Sequence, residues 1–310
     1  MIKLIFSRLA QSVFVLLIIS FLIFALLTRA GSDAVSILDN PNTSKETIEA
    51  LRRIYGLDRP LIERYGNWVA EAARGNFGHS LFLHAPVSSV IRTPLLRTGI
   101  LAICAMLIAW LISLSLGIAA ARSPESWVDR LCSMVILLAS STPRIVLAVI
   151  ALAMLSSTPF IDIPGPTTYS APEILSFRII PAAIILSFPL VALFLAQTRV
   201  AIREALEQEF VCAARARGAP EWAVLLRHAL RPALGPLLAI FGFSLGGLMS
   251  GAVIVETVIG WPGLGQLTIS AVETRDIPLL LGSTMVSATA VMAGNLAADI
   301  LQRLNNPRLR

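Results

Sequence analysis

The sequence predicts an all-α protein that crosses a membrane about six times. Its 310 residues are 56% hydrophobic and 14% charged, which is more apolar surface than a soluble core of this size buries. The apolar residues are gathered in runs of about 20, each long enough to cross a hydrocarbon core about 30 Å thick. The 25 Lys and Arg outnumber the 19 Asp and Glu, and because they lie between these runs they indicate membrane topology and not nucleic-acid binding.

Six apolar runs are the predicted spans, at residues 9–28, 98–121, 131–155, 179–198, 233–255 and 277–301. We interpret the first as an uncleaved helix, because its apolar stretch exceeds the roughly 7–15 residues of a signal peptide. The chain therefore divides into a first transmembrane helix (1–29), an extracytoplasmic helical segment (30–94) and a core of five spans (95–310).

The positions of the basic residues predict the orientation. With a cytoplasmic N-terminus, the two short outer loops carry only Arg178 and Arg275. The inner side then collects Lys3, Arg8, Arg122, Arg130, Arg199, Arg203, Arg215, Arg217, Arg227, Arg231, Arg303, Arg308 and Arg310. Both termini are therefore expected in the cytoplasm.

The outer segment contains two helical patterns. Thr43 and Glu46 have the spacing of a capping box, and the helix they begin is expected to end at Gly56. A second helix is predicted from Pro60 to about Gly75, with an apolar stripe formed by Leu61, Tyr65, Trp68, Val69 and Ala72. These helices form either a small cap on the outer ends of the spans or a docking surface for a delivered substrate.

Several kinds of chemistry have no counterpart in the sequence. Neither of the two lysines, Lys3 and Lys45, follows a glycine, so the phosphate-binding loop of an ATPase is absent. The three histidines are scattered, and no cluster has the spacing of metal ligands. There is no Gly-x-Ser-x-Gly sequence. We expect no enzymatic activity, no bound metal and no cofactor in this chain.

The polar segment 204–232, called the elbow below, lies between the fourth and fifth spans. It contains two short helical patterns separated by Gly218, which can adopt the left-handed conformation that reverses a chain. The small residues Ala213 and Ala214 would let a helix lie close to another backbone. The elbow therefore either docks into a groove of a partner protein or lies as an amphipathic loop on the inner leaflet.

The elbow resembles the EAA loop of ABC importer permeases. Its Ala-Arg-Ala-Arg-Gly (214–218) and His-Ala-Leu-Arg-Pro (228–232) sequences are similar to those of the dipeptide/oligopeptide/nickel family. Four further stretches resemble the same family, in order along the chain: Gly-Leu-Asp-Arg-Pro with Arg-Tyr-Gly-Asn-Trp (56–68), Gly-Asn-Phe-Gly-His-Ser (75–80), Val-Glu-Thr-Val-Ile-Gly-Trp-Pro-Gly-Leu-Gly (255–265), and Arg-Asp (275–276) with Asn-Pro-Arg-Leu-Arg (306–310).

The resemblance implies a type I ABC importer permease of the B type, with an outer segment after the first helix. It implies a second permease, two cytoplasmic ATPase domains that hold ATP and Mg, an external solute-binding protein and surrounding lipid. The elbow would be the coupling helix, with coupling residues Cys212, Ala213, Ala214, Arg215, Ala216, Arg217, Gly218 and Ala219. Cys212 stands where the founding motif has Glu. Peptides are the expected substrate; nickel chelates, glutathione or another small solute remain alternatives.

Two charged residues are candidates for the translocation pathway or a gate. Arg144 follows Pro143 in the middle of the third run, where an arginine costs about 2.5–3.5 kcal/mol on insertion scales. It would contact an anionic group such as a peptide carboxylate, or pair internally with Glu256 or Asp299. Glu256 belongs to a stretch that resembles the family, and a structural or gating role is expected for it.

The fifth run contains two Gly-x-x-x-Gly pairs, formed by Gly242, Gly246, Gly247 and Gly251. They indicate close helix packing, either within the chain or at a sliding interface between permeases. A secondary transporter or channel is the alternative class, but it would show inverted repeats or intramembrane acids arranged for ion coupling, and the sequence has neither pattern.

Overall fold

A computed structural model of the chain describes residues 2–29, 59–156 and 179–305. These residues form helices joined by turns, with one isolated bridge between His79 and Pro86, which confirms the all-α class. The described helices are α1 (Ile2–Arg29), α2 (Leu61–Ala72), α3 (Val87–Arg122), α4 (Trp127–Ser141), α5 (Arg144–Ser156), α6 (Ile179–Leu206), α7 (Glu209–Ala216), α8 (Glu221–Ala223), a π-helical segment (Val224–Ala229), α9 (Leu230–Ile259), α10 (Leu264–Glu273) and α11 (Ile277–Asn305).

Five of the described helices are long and apolar enough to cross a membrane. Two bent pairs raise that number to as many as seven if each pair is one span: α4 with α5, and the end of α9 with α10. The predicted number of about six lies inside this range. The chain is therefore a multi-pass membrane protein.

The third span is not the single continuous helix that the run 131–155 predicted. α4 ends at Ser141, α5 begins at Arg144, and the two helices are bent by 96°. Thr142 has an extended backbone with φ −93° and ψ 118°, as expected for a residue that precedes proline. The Pro143 carbonyl then accepts from the Val146 N–H at 3.0 Å and begins the next helix.

The second predicted outer helix is confirmed as α2, which begins directly after Pro60. Gly75 follows with φ +82°, the left-handed conformation that allows the chain to turn away. The first predicted outer helix, from Thr43 to Gly56, lies outside the described residues.

The chain forms two compact units. The first comprises Thr98–Trp261 and Ala293–Arg310. Its largest apolar core joins α3, α5, α6 and α9 around fully buried side chains such as Leu101, Leu186, Phe194 and Leu248. Trp110 packs edge-to-face on Phe194, with ring centroids 6.0 Å apart. This core positions the charged and polar groups considered below.

The second unit comprises Ile2–Arg97 and Pro262–Met292. Within it, α2 packs on α1 through Tyr65, whose hydroxyl donates to the Leu17 carbonyl at 2.9 Å and lies 2.8 Å from the Ser20 hydroxyl. Phe24 adds ring contacts with Tyr65 and Trp68. The half-buried stripe predicted for α2 is thus the face that contacts α1.

Candidate functional site

The elbow begins as a direct continuation of α6. Only Glu207 and Gln208 separate α6 from α7, and α7 buries Val211 and Ala214 against the chain. At its end the Gly218 N–H donates to the Arg215 carbonyl at 2.9 Å, and the Ala219 N–H donates to the Ala214 carbonyl at 3.2 Å. This pair of bonds is a Schellman cap, and it requires the left-handed φ of +81° at Gly218. The predicted chain reversal at Gly218 is confirmed.

An ion pair closes the turn of the elbow. Arg215 Nε lies 2.9 Å from Glu221 Oε1, which joins the last turn of α7 to the first residue of α8. Both side chains are about half exposed, so the pair orients the turn more than it stabilises the fold. The two halves of the elbow therefore form a defined corner.

The outward face of this corner is partly apolar and partly cationic. Phe210 is 45% exposed and Trp222 is 67% exposed. Of the residues predicted to couple, Ala214 is buried and Ala219 is half-buried, whereas Cys212, Ala213, Arg215, Ala216, Arg217 and Gly218 are exposed. A surface of this kind, with large apolar side chains beside arginines, is suited to contact with another protein.

Arg144 lies at the first position of α5, directly after the helix break, and not at a helix centre as predicted. Its guanidinium donates to the carbonyl oxygen of Gly247 on α9 at 3.2 Å. The side chain is half-buried. The break at Thr142 therefore places an arginine beside the fifth predicted span, in the first unit.

Glu256 is fully buried and accepts a hydrogen bond from the Thr98 hydroxyl, with an oxygen–oxygen distance of 2.5 Å. Its backbone carbonyl accepts from the N–H of Trp261 at 2.8 Å. Gly260 between them has φ +71° and ends α9. Gly260 is thus needed for the turn that ends α9. The Glu256 carboxylate contacts Thr98, at the beginning of the second predicted span.

The four glycines of the fifth predicted span have different surroundings. A Cβ at Gly242 would lie 2.5 Å from the Ala298 Cβ on α11, so this glycine permits a close helix crossing inside the chain. A Cβ at Gly247 would meet open space. Gly246 is half-buried within α9, and Gly251 continues the same helix.

A cluster of charges at the start of α4 was not among the site residues predicted from the sequence. Asp129 is buried, and its Oδ1 lies 2.9 Å from both Arg199 Nε and Arg203 Nη2 on α6. Its other oxygen accepts from the Glu125 N–H at 3.1 Å. Ser126 caps α4 by accepting from the Asp129 N–H. From the sequence, Arg199 and Arg203 were used only to predict the topology. Their i, i+4 spacing was the available signal that they lie on the same face of a helix.

Two stretches that carried the family resemblance meet in the second unit. Asp276 is fully buried and accepts from the Ser80 hydroxyl at 2.5 Å and from the Phe82 N–H at 3.2 Å. It also accepts from the Leu279 N–H at 3.1 Å, which makes it the cap of α11. Residues 196 positions apart are thereby joined.

Comparison with known proteins agrees with this architecture. The family of binding-protein-dependent transport system inner membrane components matches residues 113–310, and the family of its N-terminal portion matches residues 1–86.

Relatives of similar length cover nearly the whole chain. A putative peptide permease protein of Brucella suis biovar 1 (strain 1330) is 34% identical over 98% of this chain and 97% of its own. A putative peptide transport system permease protein of Brucella abortus (strain 2308) is 32% identical over 100% and 99%. The oligopeptide transport system permease protein AppB of Bacillus subtilis (strain 168) is 30% identical over 98% of each.

These matches confirm the resemblance to ABC importer permeases and its type I permease fold. The chain belongs to the family of binding-protein-dependent transport system inner membrane components.

Proposed function

We propose that this permease carries peptides across the cytoplasmic membrane by alternating access, as one half of a pathway completed by a second permease. Two ATPase domains on the cytoplasmic side bind ATP and Mg and drive the cycle, and an extracytoplasmic solute-binding protein delivers the substrate. Both termini lie in the cytoplasm. In that orientation, most of the basic residues that do not belong to the long outer segment lie on the cytoplasmic side of the membrane.

The observation that carries the proposal is the elbow. Its corner is fixed by the Schellman cap at Gly218 and by the Arg215–Glu221 ion pair. Its outward face exposes Phe210 and Trp222. A preorganised corner loses little conformational entropy on docking, so it suits a surface that transmits movement between subunits. We assign the exposed residues between Cys212 and Gly218 to contact with the ATPase.

The peptide substrate is supported by the relatives, which include peptide and oligopeptide permeases that match this chain over nearly its whole length. Arg144 is the residue we assign to the pathway, because a guanidinium at a helix break in an apolar span is a group that can face an anionic substrate. Glu256 is assigned a gating role, since its buried contact with Thr98 joins α9 to α3.

A double variant tests the docking surface. Phe210→Ala with Trp222→Ala removes the two exposed aromatic side chains of the elbow while leaving its buried residues and its cap intact. We expect the complex to lose most of its ATPase on affinity purification. Trp127→Ala is the matched control, because this tryptophan is 76% exposed but lies outside the elbow. Retention of the ATPase by the double variant at the control level would contradict the docking assignment.

Purification of the transporter from its native membrane tests the remaining partners and the substrate. We expect recovery of a second permease and P-loop ATPases, with hydrolysis stimulated by peptide together with the solute-binding protein. Stimulation by a nickel chelate or glutathione, and not by peptides, would overturn the substrate assignment. Recovery of a homo-oligomer without ATPases would overturn the importer complex itself.

A further inference from the structure

The charge cluster at the start of α4 joins two parts of the first unit that are far apart in sequence. Asp129 is the N3 residue of α4, and Arg199 and Arg203 lie on the last two turns of α6. The two arginines are four residues apart and therefore share one face of α6. Both direct a nitrogen to the same carboxylate oxygen, at 2.9 Å each.

The cluster is largely shielded from water. The side chains of Asp129, Arg199 and Arg203 are 10%, 22% and 31% exposed. Salt screens such charges less than it screens surface pairs, and separating them would leave charges buried without compensation. Arg199 adds a second tie between the helices, because its Nη1 donates to the Ser133 hydroxyl at 2.7 Å. The contact therefore resists relative displacement of α4 and the end of α6.

Apolar packing continues the same contact further along the helices. Cys132 of α4 and Leu195 of α6 are fully buried together with Ala120 of α3. The Cys132 thiol lies 3.6 Å from the Leu116 carbonyl. The beginning of α4 is thus held along its length against α6 and α3, and the ion cluster stands at the end nearest to the elbow.

The two joined helices lead to different functional places. α6 passes into the elbow after only two residues. α4 leads to the break at Thr142, after which Arg144 begins α5 and contacts the Gly247 carbonyl. A displacement of the elbow that moves the end of α6 must therefore move α4, and with it the near side of the helix break.

We propose that Asp129 is a positioning residue for energy coupling: through Arg199 and Arg203 it makes α4 and the end of α6 move as one body. Movement of the elbow is thereby passed to the helix break that presents Arg144. This inference rests on the proposed role of the elbow as the ATPase docking site. Asp129 belongs neither to the proposed docking surface nor to the proposed substrate contact, so we expect its loss to separate ATP hydrolysis from transport without removing either activity.

The test uses the assembled transporter in liposomes, with hydrolysis and peptide uptake measured on the same preparation. Asp129→Asn preserves the size of the side chain and removes its charge. We expect it to assemble, to hydrolyse ATP, and to carry fewer peptides per ATP by about fivefold or more. Arg203→Gln, which leaves Arg199 in place, should give a smaller loss, and Asp129→Glu should recover part of the ratio.

Exposed charges of the same region serve as matched controls. Glu125→Gln and Arg130→Gln each remove one charge within four residues of Asp129, and both positions are exposed. We expect the number of peptides per ATP to be unchanged in both. An unchanged ratio in Asp129→Asn, or an equal proportional loss of hydrolysis and uptake, would overturn the proposal. Absence of ATPase from the wild-type complex would instead overturn the docking role of the elbow.

A distance measurement keeps the proposal testable if Asp129→Asn fails to assemble. Spin labels at Arg130→Cys on α4 and Glu204→Cys on α6 occupy exposed positions on the two joined helices. Cys104 and Cys212 are replaced by Ser, and the buried Cys132 is kept. Because Cys212 belongs to the proposed docking surface, retention of the ATPase by this background is measured first. The distance between the labels should be the same in the nucleotide-free and ATP-bound transporter. A change on ATP binding in the labelled complex, which keeps Asp129, Arg199 and Arg203, would show that the two helices move separately.

Discussion

Asp129 and Asp276 are both buried aspartates at the beginning of a helix, but their charges are balanced in different ways. Asp129 is paired with two arginines of another helix. Asp276 receives hydrogen bonds from two backbone N–H groups and from the Ser80 hydroxyl. Both aspartates join elements that are distant in sequence, the first through the charge of long cationic side chains and the second through hydrogen bonds from short dipoles in fixed positions. The first arrangement depends on charge and the second on geometry.

The largest effect is expected from Asp129→Ala. This substitution leaves two guanidinium groups that are mostly buried without their carboxylate, which lowers the free energy of unfolding by about 3–5 kcal/mol. Thermal denaturation of the purified permease complex measures the change. Arg130→Ala, an exposed charge on the next residue, should leave the transition within error. A loss equal to that of Arg130→Ala would mean that the cluster contributes no net stability.

A somewhat smaller effect is expected from Asp276→Ala. The Phe82 N–H and the Ser80 hydroxyl lose their acceptor, and α11 loses its cap, at a cost of about 2–4 kcal/mol. Limited proteolysis should then cut the 76–86 turn first. The conservative Asn variants sharpen the comparison: Asp276→Asn retains an oxygen acceptor and should be milder than Asp129→Asn in the same melting experiment. The reverse order would refute the distinction between charge and geometry.

An apolar contact gives the next smaller effect. Gly242→Ala places a methyl group 2.5 Å from the Ala298 Cβ, and the resulting overpacking costs about 1–2 kcal/mol. Exchanging the two residues, as Gly242→Ala with Ala298→Gly, should restore most of the lost stability. Gly247→Ala on the same helix meets open space and is the matched control. If the double variant does not recover stability, the contact between α9 and α11 cannot accept the methyl group on α9 in place of α11.

The smallest effect is expected at the exposed pair of the elbow. Glu221→Ala removes the partner of Arg215, and an exposed ion pair contributes only about 0.2–1 kcal/mol. Melting curves at low and high salt should differ less for this variant than for the wild type, because salt screens the pair that the variant lacks. A loss as large as that of Asp129→Ala would show that this turn is more than an exposed surface feature.

Apolar runs predicted most of the spans because the length of a membrane helix is fixed by the hydrocarbon thickness. The break in the third span was not predictable in the same way. Pro94, Pro189 and Pro236 lie inside continuous helices, whereas the chain changes direction at Pro143. The residue type is the same in all four places, so the outcome is decided by packing against neighbouring helices, which no local pattern contains.

The elbow was predicted in more detail than the charge clusters. Gly218 and the small residues around it are a local signal, because a left-handed turn at a helix end favours glycine. Asp129 is separated from Arg199 by 70 residues and from Arg203 by 74, and Asp276 and Ser80 are separated by 196 residues. A single sequence contains no information on which distant charges meet, so these contacts emerge only from the folded chain.

The π-helical segment between α8 and α9 determines how the faces of these two helices are oriented relative to each other. A π turn holds one residue more than an α turn, so every side chain after Ala229 is rotated by about 100° relative to an uninterrupted α-helix. Refolding of Val224–Ala229 into a regular α-helix, with all six residues kept, would remove this rotation. The exposed face of α8, with Trp222, would then point about a quarter of a turn away from its present direction. The extra residue thus acts as an angular spacer between the membrane helix and the corner that precedes it.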